Sequence, residues 1–114
     1  MSKTTFSLHS HDGPAQINGV DFTAVHISEH ADSEGIVILK GWEGTATVLV
    51  KDAPAITPEW SEDAVRKPVE VRLPEGGTGQ ALLTDVFYID DDGLEYWRIA
   101  FTGVGPSPWA EASS

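Results

Sequence analysis

The sequence predicts a single all-β domain, built as an antiparallel β-sandwich or a partly open barrel of about seven strands. Three observations support this prediction. Short β-branched or alternating segments recur along the 114 residues. Turn-forming residues separate these segments at close intervals. Only one segment, within the 52–67 insertion, has a helical pattern. The predicted domain covers residues 1–114, with 1–14 and 106–114 expected to be extended or flexible ends.

The first half of the chain supplies most of the predicted strands. They are residues 4–9, 15–17, 20–27, 36–39 and 45–50. Asn18-Gly19 is the dipeptide most typical of a two-residue hairpin turn, so it is expected to join the second of these strands to the third.

The segment between residues 52 and 67 predicts a helix of about two turns. Thr57 suits the N-cap and Pro58 suits the first helical position. Val69 to Leu73 then alternates cleanly, with its charged residues facing outward, which indicates another strand.

The last predicted hairpin runs from Gln80 to Phe101 through Asp90-Asp91-Asp92-Gly93. Because strand side chains alternate between faces, the return strand separates into two sets. The predicted core set is Trp97, Ile99 and Phe101, and the predicted outer set is Tyr96, Arg98 and Ala100.

Composition excludes several classes of function. The chain has no cysteine, which removes disulfides, thiolate metal sites and cysteine nucleophiles. A net charge of −11 argues against nucleic acids and anionic membranes as partners, because both attract basic groups. The N-terminus lacks the apolar core of a signal peptide, so a cytoplasmic location is expected.

One motif resembles a metal-dependent active site. Residues His26 to His30 read H-x-x-E-H, the inverted zinc-peptidase pattern. On a helix the two histidines could share a zinc ion. The β-branched residues of 20–27 indicate a strand instead, on which the histidines would lie about 13 Å apart at ~3.3 Å per residue. The peptidase interpretation is therefore rejected and no catalytic residue is assigned.

A weaker metal hypothesis uses His9, His11 and His26. His9 and His11 face one side of a strand, and His26 would join them if their strands pair. The alternative is a polar N-terminal segment whose histidines bind nothing. No cofactor is expected.

Two loops carry residues that ligand sites also use. Asp90 to Gly93 has consecutive acids and is too short for a calcium loop, so a tight turn is expected. Pro74 to Gln80 is rich in glycine, but it lacks the lysine and the following helix of a phosphate-binding loop.

Aromatic residues supply the predicted partner-binding surface. Trp60, in the acidic insertion, and Trp109, in the Pro-rich tail, are the tryptophans most expected to be exposed. The alternative is that both pack down and anchor their own segments. Tyr96 and Arg98, on the predicted outer face of the last strand, complete the predicted set.

Gly41 to Val48 and Arg98 to Pro106 resemble the two ends of a small actinobacterial β domain that occurs beside flavin monooxygenases. A compact cysteine-free β domain with an Asn-Gly hairpin and extended ends also resembles accessory proteins of tailed-phage virions, such as capsid decoration proteins. The second resemblance implies a role in assembly and, as the alternative to a cytoplasmic location, a virion-associated one. Neither implies site residues.

The leading hypothesis is a non-enzymatic module for protein–protein interaction or assembly, which binds a protein partner or a second copy. The first alternative is a small-ligand-binding barrel or minor enzyme, with a cavity lined by Tyr88, Tyr96, Arg98 and a histidine. The second is a metal-binding protein that uses the N-terminal histidines.

Overall fold

The fold is a closed barrel of six antiparallel strands. A computed structural model describes residues 3–34 and 37–109. Its strands are β1 (Lys3–Ile17), β2 (Val20–Glu34), β3 (Val37–Leu49), β4 (Val69–Arg72), β5 (Thr78–Asp91) and β6 (Leu94–Val104). A 3-10 turn (Val50–Asp52) and helix α1 (Pro58–Ala64) connect β3 to β4. Around the barrel the order is β1-β2-β3-β6-β5-β4, and β4 closes onto β1.

The prediction of an all-β domain is confirmed, with six strands in the described chain instead of about seven. Residues 4–9 and 15–17 belong to one strand, because β1 continues through residues 10–14. Its pairing with β2 has two bulges, one near Leu8 and one near Pro14. Residues 45–49 continue the strand that the 36–39 run begins, since β3 is unbroken from Val37. The sequence pattern predicts strand ends at short polar or glycine-containing stretches. In the structure the strands continue through them.

The predicted turns and helix are found in the structure. Asn18 and Gly19 have φ angles of 52° and 80°, the left-handed pair that a type I′ hairpin turn requires. Asp92 and Gly93 form the second such turn, with φ angles of 54° and 91°. The Thr57 side chain caps α1 by accepting a hydrogen bond of 3.1 Å from the backbone N–H of Trp60.

Apolar side chains from all six strands fill the barrel. The largest of those that are fully buried are Phe22, Phe101, Ile17, Ile27, Leu73, Ile99, Val25, Val48 and Val71. Ala53, Ile56 and Ala64, from the segment between β3 and β4, join the same core. The predicted inner set of β6 is confirmed, since Ile99 and Phe101 are buried and Trp97 packs against the core.

Three strands continue past the barrel wall. The last pair between β3 and β6 is Glu43–Thr102, but β3 still pairs with β2 as far as Glu34–Val37. Pairing between β1 and β2 likewise continues to Lys3–Glu34. Residues 3–10, 28–34 and 37–42 therefore form a three-stranded sheet, called here the extension. It lengthens the molecule, whose principal extents are 50 × 31 × 25 Å.

Candidate functional site

A row of three side chains marks the junction of barrel and extension. His9, Glu29 and Trp42 are register neighbours on β1, β2 and β3. Nδ1 of His9 donates a hydrogen bond of 2.6 Å to Oε1 of Glu29. The Glu29 side chain is 10% exposed, so the histidine supplies the partner that a buried carboxylate needs.

The tail, residues 105–109, covers this row. The indole Nε1 of Trp42 donates to the carbonyl oxygen of Gly105 at 3.2 Å. At the other end, Trp109 stacks on His9, with ring centroids 5.3 Å apart and planes inclined by 16°. Between them Pro108 lies against Gly77 and Gly79, where a Cβ atom would meet it. The tail thus closes one end of the barrel, and it uses Trp109 to do so.

The two tryptophans predicted as exposed anchors are both half-buried. Trp60 and Trp109 pack against the hydrophobic core. Nε1 of Trp60 is buried and has no hydrogen-bond partner among the described residues. These positions favour the alternative that each tryptophan anchors its own segment.

The H-x-x-E-H residues lie on a strand, as their β-branched surroundings predict. His26 and His30 are both in β2. The register places Asp12 opposite His26, and Nδ1 of His26 donates to Oδ1 of Asp12 at 2.8 Å. His26 is therefore paired with an acid, and not with His9 or His11 as the metal hypothesis requires.

The remaining histidine of that hypothesis is also engaged. Nε2 of His11 donates to the carbonyl oxygen of Pro14 at 3.0 Å. Within residues 3–34 and 37–109, no group of three or more histidine or acidic side chains has the arrangement of a metal site.

An exposed apolar surface lies on the outside of the β5–β6 hairpin. Its members alternate with residues of the opposite face of the hairpin and are adjacent in the register, where Phe87 faces Arg98, Ile89 faces Tyr96 and Asp91 faces Leu94. Phe87 and Leu94 are each 52% exposed. This surface, called here the tip face, consists of Phe87, Ile89, Leu94, Tyr96 and Arg98.

A shallow groove of about 530 Å³ adjoins the tip face. Leu94, Tyr96 and Arg98 line one side, and Thr45 and Thr47 of β3 lie on the other. In the described parts of the chain the Arg98 guanidinium forms no ion pair. The structure therefore brings together Tyr96 and Arg98, two of the four predicted partner-binding residues, beside an exposed apolar surface.

Acidic side chains lie at the end of the hairpin that carries the tip face, with Asp91 on the tip-face side and Asp90 and Glu95 on the opposite side. Asp90, Asp91, Asp92 and Glu95 are all exposed at the end of the hairpin. Gly93 donates its backbone N–H to Oδ1 of Asp90 at 3.0 Å, so one of these acids also supports the turn. The turn interpretation of this acidic run is thus supported.

Tyr88 lies on the opposite face of the hairpin from Tyr96. Its ring meets Trp97 edge to face at 5.6 Å, and its hydroxyl donates to the Glu95 carboxylate. Tyr88, Tyr96 and Arg98 therefore do not line a common cavity. The arrangement that the small-ligand alternative requires is not formed by these three side chains.

Tyr88 is expected to titrate well above its ordinary range. The hydrogen bond to Glu95, with lesser contributions from desolvation and from the charges of Glu95 and Asp90, raises the pKa of Tyr88 from 10.0 to about 12. Since the folded pKa lies above the unfolded one, the protonated phenol stabilises the fold below pH 10, and this contribution is lost as the pH rises through about 12.

Tyrosinate absorbance measured on a Tyr96→Phe background would follow Tyr88 alone, because the chain has two tyrosines. We expect Glu95→Gln to move the titration back toward the ordinary value. An unchanged midpoint would contradict the role given to Glu95.

Sequence reasoning missed Phe87 and Leu94, the most exposed members of the tip face. A signal was present: Val86-Phe87-Tyr88-Ile89 is apolar at every position. A strand that covers only one core cannot bury such a run on both faces, so part of it must be exposed or covered by a partner. The burial of Glu29 was also missed. Its neighbours His9 and Trp42 are far from it in sequence and come next to it only when the sheet forms.

Within the described residues no helix is long or apolar enough to cross a membrane. Comparisons with models of protein families, with curated proteins and with solved structures found no match to this chain.

Proposed function

We propose that the protein is a non-enzymatic interaction and assembly module that binds a basic protein partner through the tip face. The observation that carries this proposal is the exposure of Phe87 and Leu94, each 52%, at one end of a hairpin. Contiguous apolar surfaces bordered by polar residues are typical of protein–protein contacts. Tyrosine and arginine, here Tyr96 and Arg98, are enriched among the residues that dominate binding energy.

Charge supports a basic partner. Four exposed acids lie at the end of this hairpin, in a chain of net charge −11, and Asp91 is next to Leu94 in the register. Two copies meeting tip to tip would bring these acids together, which disfavours self-association at this face. A partner with an apolar centre and a basic rim would instead be attracted, and its binding would weaken as salt screens the charges.

The test is affinity capture from the source cells with immobilised wild type and three variants, Phe87→Ser, Leu94→Ser and Arg98→Ala. We expect a captured protein whose binding is at least tenfold weaker for Phe87→Ser, since truncating a residue central to an interface costs about 2 kcal/mol or more. Higher salt should release the same protein.

The matched control is Val65→Ser, because Val65 is 47% exposed and lies outside the tip face. It should capture as wild type does. The proposal is wrong if every retained protein is retained equally by wild type, by the control and by the tip-face variants, provided that all of them melt cooperatively.

A further inference from the structure

The outer edge of β1 is open along most of its length. On one side β1 pairs with β2 from Lys3 to Ile17. On the other side it pairs with β4 only at Gln16 and Ile17. Among residues 3–34 and 37–109, no other strand pairs with that side. The backbone N–H and C=O groups that face it can therefore receive another strand.

The sequence protects this edge mainly at its two ends. Proteins usually guard open edges with charged side chains, proline or bulges. Lys3 lies at the start of β1, and Asp12 and Pro14 lie in its second half, but residues 4–11 contain no acid, lysine, arginine or proline. Bulges near Leu8 and Pro14 interrupt the pairing with β2, but they leave residues 3–7 and 9–13 in regular register. Ser7 and Ser10, one in each stretch, are exposed.

We propose that this edge joins two copies of the chain. β1 of one copy pairs antiparallel with β1 of the other about a twofold axis, so the two extensions form one continuous sheet of six strands. A strand that pairs with its own copy makes a closed, isologous contact, which ends at a dimer.

The distribution of charge favours a second copy at this edge. The densest acidic run, Asp90 to Asp92, lies at the end of the barrel opposite to the extension, because β3 reaches the extension at Val37 and the hairpin side at Leu49. Antiparallel pairing of β1 directs the two acidic hairpins away from each other. Charges separated by more than about 8 Å are largely screened at physiological salt.

The first test is the mass in solution, measured by sedimentation or light scattering over a range of concentrations. We expect twice the 12.3 kDa of one chain at high concentration, and a return to one chain on dilution. A mass of one chain at every concentration would overturn the proposal.

The second test uses the absence of native cysteine, so that a single introduced thiol reports one position. Ser7→Cys and Ser10→Cys place thiols on β1, and Thr102→Cys places one at an exposed position of β6, which has a strand on both sides. Paired strands hold opposite Cα atoms about 4.5–5.5 Å apart, within the range that a disulfide spans.

Under mild oxidation we expect Ser7→Cys, Ser10→Cys or an equimolar mixture of the two to form disulfide-linked dimers ten times faster than Thr102→Cys, because a twofold axis at either residue or midway between them sets two thiols opposite each other. Equal rates at β1 and β6 would refute self-pairing through β1, even if the protein proved to be a dimer. The tip face shares no residue with β1. Neither outcome therefore decides the proposed partner-binding function, which is tested separately by the capture experiment.

Discussion

Replacing Gly103 by alanine is expected to destabilise the fold by about 1–3 kcal/mol. A Cβ atom at residue 103 would overlap the indole ring of Trp42. Trp42 is 3% exposed, and its ring packs edge to face on Phe101 at 6.2 Å. Its indole N–H donates a hydrogen bond to the carbonyl oxygen of Gly105. Alanine would force the ring out of this place, so both the core and the tail would lose a contact.

The urea midpoint, followed by tryptophan fluorescence, measures this loss. Gly41→Ala is the matched control, because its Cβ would stand 3.4 Å from Nε2 of His30, the end of a side chain that can move. We expect a much smaller shift there. If Gly103→Ala unfolds at the wild-type urea concentration, the close packing of Trp42 on β6 is wrong.

Truncation of Phe101 to alanine is expected to cost about 3–5 kcal/mol, whereas truncation of Phe87 should change stability by less than about 0.5 kcal/mol. Both residues belong to the β5–β6 hairpin. Phe101 is 2% exposed inside the barrel and Phe87 is 52% exposed outside it. The same Phe→Ala change therefore distinguishes a residue that stabilises the fold from one whose side chain is accessible to a partner.

Thermal and urea unfolding of the two variants measure this difference. A comparable loss of stability for Phe87→Ala would show that the tip face supports the barrel, and it would remove the main argument for a binding role. A small loss for Phe101→Ala would contradict the assignment of the inner face of β6.

Local sequence patterns predicted where strands, turns and the helix occur. They did not predict that neighbouring short strands join into longer ones. The Asn18-Gly19 turn, the Thr57 cap and the alternation of β6 depend on neighbouring residues, so the sequence alone sufficed to find them. Continuity of β1 through residues 10–14 depends on pairing with β2, which supplies hydrogen bonds to residues of low strand propensity. Barrel closure depends on two register pairs between residues distant in sequence.

The site was predictable to a similar extent. Tyr96 and Arg98 follow from the period of two in β6, but their neighbour Phe87 is placed by a bulge between Leu83 and Asp85 that reverses the faces of β5. If the alternation of inward and outward side chains is counted from the start of β5, it assigns the residues after the bulge to the wrong face. Counting back from the end of β5 makes the same error for the residues before the bulge. The burial of Trp60 and Trp109 could not be predicted, because it depends on how closely their segments pack on the barrel.

The unbroken strand β2 runs along both the extension and the barrel. Fifteen residues at about 3.3 Å each span about 50 Å, which equals the long axis of the molecule. One hydrogen-bonded ladder therefore runs from the extension to the end of the barrel near the tip face, with no intervening linker. A protein bound at the tip and a second copy joined at β1 would be held at a set spacing and orientation, as components of a repeating array require.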